Sequence, residues 1–212
     1  MILIHGWGGG VGVWKPLFPD SVPERVCPDF SGVTQHAMFL PEVLRILPSH
    51  PTLVVGWSMG ALLAVEAASA EPGRVSGLIL IGGTPRFVDR NRSRGWPEQA
   101  LRKMQSRLRH DTPAVLMAFR RQMFSATEAD GLESFNRANP FPEAVNFSPE
   151  GLVAGLEYLI RTHLSDHLER LACPVLWIHG GEDRVCPPGA PRRHRGPERL
   201  GGRQRRGAQG SE

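Results

Sequence analysis

The strongest constraint in this sequence is a G-W-S-M-G pentad at residues 56–60, which stands between an apolar run and a helix-forming run. Residues 52–55 have the length and β-branched content of a buried strand, and residues 61–70 (ALLAVEAASA) are typical of a helix. A serine in so tight a strand-to-helix turn needs flanking glycines, because side chains there would strike the strand and the helix. The pentad therefore predicts that Ser58 stands exposed at a strand end, as a catalytic nucleophile would. A glycine-rich turn without a catalytic role is the alternative.

Apolar runs alternate with helical patterns along much of the chain. Runs of strand length occupy residues 2–4, 52–55, 75–81 and 174–179, with a weaker candidate at 25–27, and helical spacing covers residues 38–47. Strands separated by helices predict an α/β protein with a mostly parallel sheet and helices on both faces.

The strand pattern stops between Thr84 and about Asp166. This stretch contains helical patterns near 98–109, 113–124 and 150–162, joined by turn-rich segments. An all-helical insertion between two strands predicts a lid that supplies a substrate pocket. We therefore divide the chain into a core with the serine turn (1–85), a helical lid (86–166), a second core segment (167–188) and a Gly/Arg-rich tail (189–212).

The tail accounts for the basic character of the protein. The formal net charge is +4, but residues 189–212 carry seven arginines and two glutamates, so the rest of the chain is nearly neutral. Leu200 is the only large apolar residue of the tail, which we expect to be disordered. An Arg-rich arm can bind an acidic partner, although a nucleic acid is not the partner we expect.

The cysteines and the hydropathy pattern exclude several classes of protein. Cys27, Cys173 and Cys186 are widely spaced and show neither C-x-x-C nor Cys/His metal spacing. No stretch approaches the 18 or so apolar residues that a membrane span needs, and Met1 runs directly into Ile-Leu-Ile without a signal sequence. We expect a cytoplasmic protein that uses no metal or cofactor.

Three loop motifs together resemble the α/β-hydrolase superfamily. They are H-G-W-G at residues 5–8, the pentad at 56–60 and G-G-E-D at 180–183, each after a predicted strand. Within the superfamily, the chain is similar to the esterases that hydrolyse the methyl ester of pimeloyl-acyl-carrier protein in biotin synthesis. That narrower similarity also rests on G-W-P at 95–97 and G-L-E-Y-L at 155–159.

The resemblance implies a role for each loop. Ser58 would be the nucleophile, Asp183 the carboxylate of the catalytic triad, and the backbone N–H groups of Trp7 and Met59 the oxyanion hole. The residues themselves agree, because all three loops leave the carboxyl ends of parallel strands, where open α/β sheets place their sites. Asp183 as a plain turn residue is the alternative, and His5 is expected to be structural rather than the base.

The substrate implied by the resemblance is a methyl ester of an acyl chain held on an acyl carrier protein, hydrolysed through an acyl-enzyme on Ser58. Trp57, Phe119 and Phe124 are candidates for lining the acyl pocket, with core packing as the alternative. Other possible functions are general hydrolysis of small esters, or a catalytically impaired fragment whose basic tail binds an acidic partner.

Charge is segregated within the predicted lid. Residues 86–121 contain ten Arg or Lys and three acids, whereas residues 122–165 contain two basic residues and six acids. A basic surface beside the pocket would suit an acidic carrier protein, and a solvated helix face is the alternative. The candidates for carrier binding are Arg102, Arg109, Arg120, Arg121 and Arg137.

The histidine of the triad is the element that the sequence lacks. A serine hydroxyl needs a histidine to take its proton, and the resembled family supplies it after a further helix and strand. Here no apolar strand follows Asp183, and we do not expect His194, in PRRHRGP, to reach Ser58. Without a base, the chain would lose about 10⁶-fold in kcat.

We therefore hypothesise that the chain is truncated at both ends. The sequence from about residue 189 onward would come from a shifted reading frame or a truncation, and Met1 begins inside the strand that usually comes third in this fold. Only two of the 25 basic residues are lysines, as a GC-rich gene would give. Sequencing the gene tests this, since another frame after codon 188 should encode an apolar strand followed by Gly-His.

Overall fold

A parallel sheet forms the centre of the computed structural model, which describes residues 1–18, 24–125, 128–140, 142 and 145–187. Its strands are β1 (Ile2–Ile4), β2 (Thr52–Trp57), β3 (Val75–Ile81) and β4 (Val175–Ile178). They pair in the order β1-β2-β3-β4, and every neighbouring pair is parallel. The helices are α1 (Phe39–Ile46), α2 (Met59–Ala70), α3 (Glu98–Leu108), α4 (Thr112–Gln122), α5 (Ala129–Ala138), α6 (Pro149–Arg161) and α7 (Ser165–Glu169).

The weak strand candidate at residues 25–27 forms only one bridge. Val26 pairs with Ile2 on the side of β1 that faces away from β2, through Leu3 N–H to Val26 O at 2.9 Å and Val26 N–H to Met1 O at 3.0 Å. The next donor of such a ladder would be residue 28, which is a proline and has no N–H.

The two faces of the sheet are covered differently. Ile2 and Ile4 belong to the large core formed with α1 and α2, and α2 contacts α1, α7 and three strands. On the other face, Leu3 and Val55 pack with Trp14 of a 3₁₀ turn (Val11–Trp14). Within the described ranges, this turn stands where the sequence predicted helices.

All the helices from α3 to α7 lie between β3 and β4 in the chain. The predicted helices at 98–109, 113–124 and 150–162 correspond to α3, α4 and α6. Two of these helices begin at side-chain caps, because Asp111 accepts the Ala114 N–H at 3.0 Å and Ser148 accepts the Gly151 N–H at 3.0 Å. The sequence did not predict α5, in a stretch that reads as turn-rich, or α7, which is too short for a periodic pattern.

No helix within the described ranges combines the length and the apolar character needed to cross a bilayer. His194 and the tail from residue 189 lie outside those ranges, so the expectations about them stay predictions.

Candidate active site

Ser58 occupies a strained turn between β2 and α2. Its backbone has φ 54° and ψ −119°, and the only other described non-glycine residue with a positive φ is Glu24. The turn is held by Ser58 N–H to Ile81 O at 2.9 Å and by Ala61 N–H to Ser58 O at 2.9 Å. A backbone conformation of this kind persists only where its surroundings enforce it, and it is common at functional sites.

The two glycines of the pentad are required by close backbone contacts. A Cβ on Gly56 would lie 2.3 Å from the carbonyl oxygen of Gly60, and a Cβ on Gly60 would lie 2.1 Å from the carbonyl oxygen of Ile4. Both distances are far below van der Waals contact. The spacing that singled out Ser58 in the sequence is thus a steric requirement of the packing of α2 against β1 and β2.

The loop after β1 lies against this turn. A Cβ on Gly6 would be 3.0 Å from the Cβ of Ser58, so residues 6 and 58 are in direct contact. The Trp7 backbone N–H has no acceptor among the described residues, and Met59 is the first residue of α2, where an N–H has no intrahelical partner. The two predicted oxyanion donors are therefore free of acceptors among the described residues, and their role stays a prediction.

His5 is completely buried beneath this loop. Its Nδ1 lies 3.1 Å from the Gly6 carbonyl oxygen, and its ring meets Phe30 and Phe147 edge-on at centroid distances of 5.2 and 5.6 Å. Burial lowers the pKa of His5 from 6.5 to about 4. A neutral imidazole in an aromatic cage fits the structural role expected for this residue.

The burial of His5 predicts a loss of stability in acid. The unfolded chain protonates this histidine near pH 6.5, whereas the folded protein resists protonation down to about pH 4, so the unfolding free energy falls as the pH falls through this window. The contribution amounts to about 3 kcal/mol. Urea unfolding at pH 7.5 and pH 4 should show that His5→Gln removes this part of the pH dependence. The exposed His110→Gln is the control, and an unchanged pH dependence in His5→Gln would contradict the assignment.

Asp183 is placed by the loop that follows β4. One carboxylate oxygen accepts the backbone N–H groups of Val185 at 2.9 Å and Cys186 at 2.8 Å, and the other lies 3.7 Å from His179 Nε2. Burial raises the pKa of Asp183, and the Cys186 N–H, His179 and the Val185 N–H oppose that rise. The second oxygen has no hydrogen bond as close as those of the first, so it remains able to accept one from a histidine.

Ser58 and Asp183 line the same cavity, which has a volume of about 190 Å³. Its other lining residues are Gly6, Trp7, Trp57, Gly82, Phe119, Met123, Phe124, Phe135, Val185 and Cys186. The three residues predicted to line an acyl pocket, Trp57, Phe119 and Phe124, are all among them. Phe135 was missed because it lies on the unpredicted helix α5, where its ring contacts Trp57 and Phe124 at 6.2 and 5.8 Å.

The arginines predicted to bind a carrier separate into different environments. Arg120 is only 4% exposed and donates hydrogen bonds to Asn136 Oδ1 at 3.2 Å and Asn139 O at 2.8 Å. The prediction that Arg120 contributes to a carrier-binding surface is therefore wrong, because its guanidinium is occupied inside the protein, 5.4 Å above the ring of Phe135.

The remaining four candidates are at the surface. Arg121 and Arg137 are exposed on α4 and α5, the helices that supply Phe119 and Phe135 to the cavity. Arg102 forms ion pairs with Glu98 and Glu157, and Arg109 borders two other grooves that share no residue with the Ser58 cavity.

No histidine of the described ranges lines the cavity. The Cys186 thiol also lines the cavity, and it is buried. Burial first, and the Asp183 charge second, raise the pKa of Cys186 far above its usual value, so the thiol stays protonated and is a poor proton acceptor.

The sequence of this chain matches a protein family and several curated proteins. The model of the Alpha/beta hydrolase family matches residues 1–207. The pimeloyl-[acyl-carrier protein] methyl ester esterase of Vibrio vulnificus (strain YJ016) is 30% identical over 206 residues, covering 88% of this chain and 77% of that protein. The enzyme of the same name from Xanthomonas oryzae pv. oryzae (strain MAFF 311018) is 33% identical over 212 residues, covering 88% and 78%.

Two solved structures illustrate the shared fold. An esterase from Exiguobacterium antarcticum matches with a TM-score of 0.73 at 19% identity, covering 95% of this chain and 82% of that one. A hydrolase from Oleispira antarctica matches with a TM-score of 0.76 at 14% identity, covering 96% and 81%. At these identities the likeness shows the fold alone.

Proposed function

Because this chain belongs to the α/β-hydrolase family, we propose that it is a serine carboxylesterase in which Ser58 attacks an ester carbonyl. The observation that carries the proposal is the strained Ser58 turn, which opens into one cavity together with Asp183 and Trp7. A nucleophile, a carboxylate and backbone donors around one cavity are the parts that acyl transfer requires.

The reaction would proceed through a covalent intermediate. Ser58 Oγ forms a bond to the carbonyl carbon while its proton passes to a histidine base, which the described residues do not place at the cavity, and the N–H groups of Trp7 and Met59 donate to the resulting oxyanion. The bond from carbon to the leaving oxygen then breaks, and the alcohol departs with the proton. Water attacks the acyl-enzyme in the same way, which releases the carboxylic acid and restores Ser58.

We propose the methyl ester of an acyl chain as the substrate, with methanol as the first product. The curated relatives above carry the name of a pimeloyl-[acyl-carrier protein] methyl ester esterase. The cavity walls support an alkyl chain, because Trp57, Phe119 and Phe135 present apolar rings and Asp183 is the only charged residue among the described residues that line it. An apolar pocket with few polar groups is typical of sites for such chains.

We further propose that an acyl carrier protein presents this chain. Arg121 and Arg137 are the exposed arginines on α4 and α5, which supply Phe119 and Phe135 to the cavity, so an acidic partner held there would hold its acyl group near the cavity. Exposed charges of this kind act mainly by steering the encounter, and salt screens them.

Methanol release tests the ester and the carrier together. The substrates are the pimeloyl methyl ester bound to acyl carrier protein and, as the free reference, dimethyl pimelate. We expect wild-type protein to release methanol from both, and Arg121→Glu or Arg137→Glu to lower kcat/KM about 3- to 10-fold for the carrier-bound ester alone, an effect that high salt removes.

Arg170→Glu is the matched control, since this exposed arginine precedes the amino-terminal end of β4 and does not line the cavity. Equal losses on both substrates, or an equal loss in the control, would refute the carrier surface. Failure to release methanol from either substrate would refute the esterase proposal itself.

A further inference from the structure

The Trp7 side chain joins the loop after β1 to the lid. Its indole Nε1–H donates to the backbone carbonyl of Leu152, in the first turn of α6, at 2.8 Å. The residue is only 3% exposed, so this hydrogen bond forms away from water. A buried indole N–H in such a position is expensive to leave without its acceptor.

Helices α4 and α6 also pack closely against the Trp7 indole. The Phe119 ring of α4 meets the indole edge-on, with centroids 4.9 Å apart and planes at 87°. On α6, a Cβ at Gly155 would lie 2.6 Å from Trp7 Cδ1, so only a glycine allows the helix to come this close. The indole is therefore fixed by one hydrogen bond and by contacts on two helices.

The backbone N–H of the same residue is the proposed oxyanion donor. It has no acceptor among the described residues, and Trp7 lines the cavity beside Ser58. Only two side-chain torsions separate this N–H from the clamped ring, so the position of the lid helices is transmitted directly to it. An oxyanion donor must lie about 2.7–3.1 Å from the developing charge to act.

We propose that the Trp7 side chain is a positioning residue, through which helices α4 and α6 hold the Trp7 backbone N–H in the orientation that an oxyanion requires. The inference rests on the proposed function, since it assigns the oxyanion role to that N–H. It makes the lid part of the catalytic geometry, in addition to its part in forming the pocket.

Other ties keep the loop folded when the indole bond is removed. Asn146 N–H donates to the Gly9 carbonyl at 2.9 Å, and Gly9 N–H donates to Gly6 O at 3.1 Å. A Trp7→Phe variant therefore loses the bond to Leu152 O and part of the clamp, while the chain path around the site remains supported.

Trp7→Phe is tested against Trp14→Phe. Trp14 is equally buried, at 3% exposure, but it lies in the smaller core with Leu3 and Val55, and its Nε1–H has no acceptor among the described residues. Steady-state hydrolysis of a short p-nitrophenyl ester should show kcat lowered about 10- to 100-fold in Trp7→Phe with KM within about twofold. Trp14→Phe should keep both constants within about twofold of wild type.

A general loss of structure would lower the active fraction in both variants, whereas misplacement of an oxyanion donor lowers kcat in Trp7→Phe alone. The proposal is overturned if kcat of Trp7→Phe stays within about twofold of wild type, if only KM rises, or if Trp14→Phe loses as much.

Hydrogen–deuterium exchange separates this inference from the proposed function. If wild-type protein hydrolyses no ester, the proposed function fails. The exchange rate of the amides of residues 5–10 then still tests whether the Trp7 indole holds this loop in place. Exchange at least about tenfold faster in Trp7→Phe, with no change in Trp14→Phe, supports a loop held by the indole. Equal exchange in the two variants overturns it.

Discussion

Replacing Ser58 by alanine should lower the turnover of a short p-nitrophenyl ester by about 10⁶-fold. In a serine hydrolase dissected by single and combined substitutions, loss of the nucleophile costs about as much as loss of the whole triad, and the oxyanion hole and substrate binding supply what remains. Where a base acts on Ser58, the same loss is expected here, because Ser58 is held in its strained turn by Gly56 and Gly60 and lines the cavity beside Asp183.

The size of this loss also reports whether a base acts on Ser58. A serine without a proton acceptor already lacks most of the acceleration, so removing its hydroxyl would then change turnover little. His194→Ala should match the loss in Ser58→Ala if this histidine is the acceptor, and should leave turnover unchanged if it is not.

Turnover of Ser58→Ala is measured beside that of Ser69→Ala, which changes a serine of α2 that does not line the cavity. Labelling by a fluorophosphonate, mapped by mass spectrometry, should find Ser58 modified in wild type and no label in Ser58→Ala. Equal turnover by wild type and Ser58→Ala would contradict the esterase proposal and would agree with the hypothesis that the chain lacks its base.

Features that depend on local pattern were predictable from the sequence. The runs at 2–4, 52–55 and 75–81 form strands because each is short, apolar and bounded by turn residues. The Ser58 turn was predictable for a steric reason, since few other residues could take the places of Gly56 and Gly60.

Features that depend on distant contacts were not predictable. Arg120 has the same charge and helix as Arg121, and only the contact of α4 with residues 136 and 139 of the α5 region distinguishes the buried guanidinium from the exposed one. Phe135 enters the cavity because α5 packs against the site, and the Trp7 indole finds its acceptor 145 residues along the chain. Sequence spacing carries no signal for either contact.

The second face of the sheet shows the same limit. Helices were expected there, yet the described residues provide a 3₁₀ turn over β1 and β2, while Leu176 and Ile178 of β4 remain 40% and 47% exposed. The apolar run at 174–179 was correctly predicted to form a strand, but coverage of the outer face of β4 depends on elements elsewhere in the chain.

Replacing Gly60 by alanine should prevent stable folding, because the new methyl group would meet backbone atoms that cannot move independently. The added Cβ would lie 2.1 Å from Ile4 O, 2.6 Å from Ile4 C and 2.8 Å from His5 O. Relief requires α2 to separate from β1, which would open the core around Met59, Leu62 and Leu63. Overpacking of a core typically costs 1–3 kcal/mol, and contacts this short with backbone should cost more than about 3 kcal/mol.

Gly73→Ala is the matched control for Gly60→Ala, because a Cβ at Gly73 would meet nothing within 4 Å and its φ is not positive. That variant should be neutral or more stable by up to about 1 kcal/mol, since alanine restricts the unfolded chain. Urea unfolding followed by circular dichroism compares the two variants with wild type. A cooperative Gly60→Ala transition with an unfolding free energy within about 1 kcal/mol of Gly73→Ala would mean that α2 does not pack on β1 this closely. Because the same contact holds the Ser58 turn in place, the nucleophile assignment would lose its structural basis with it.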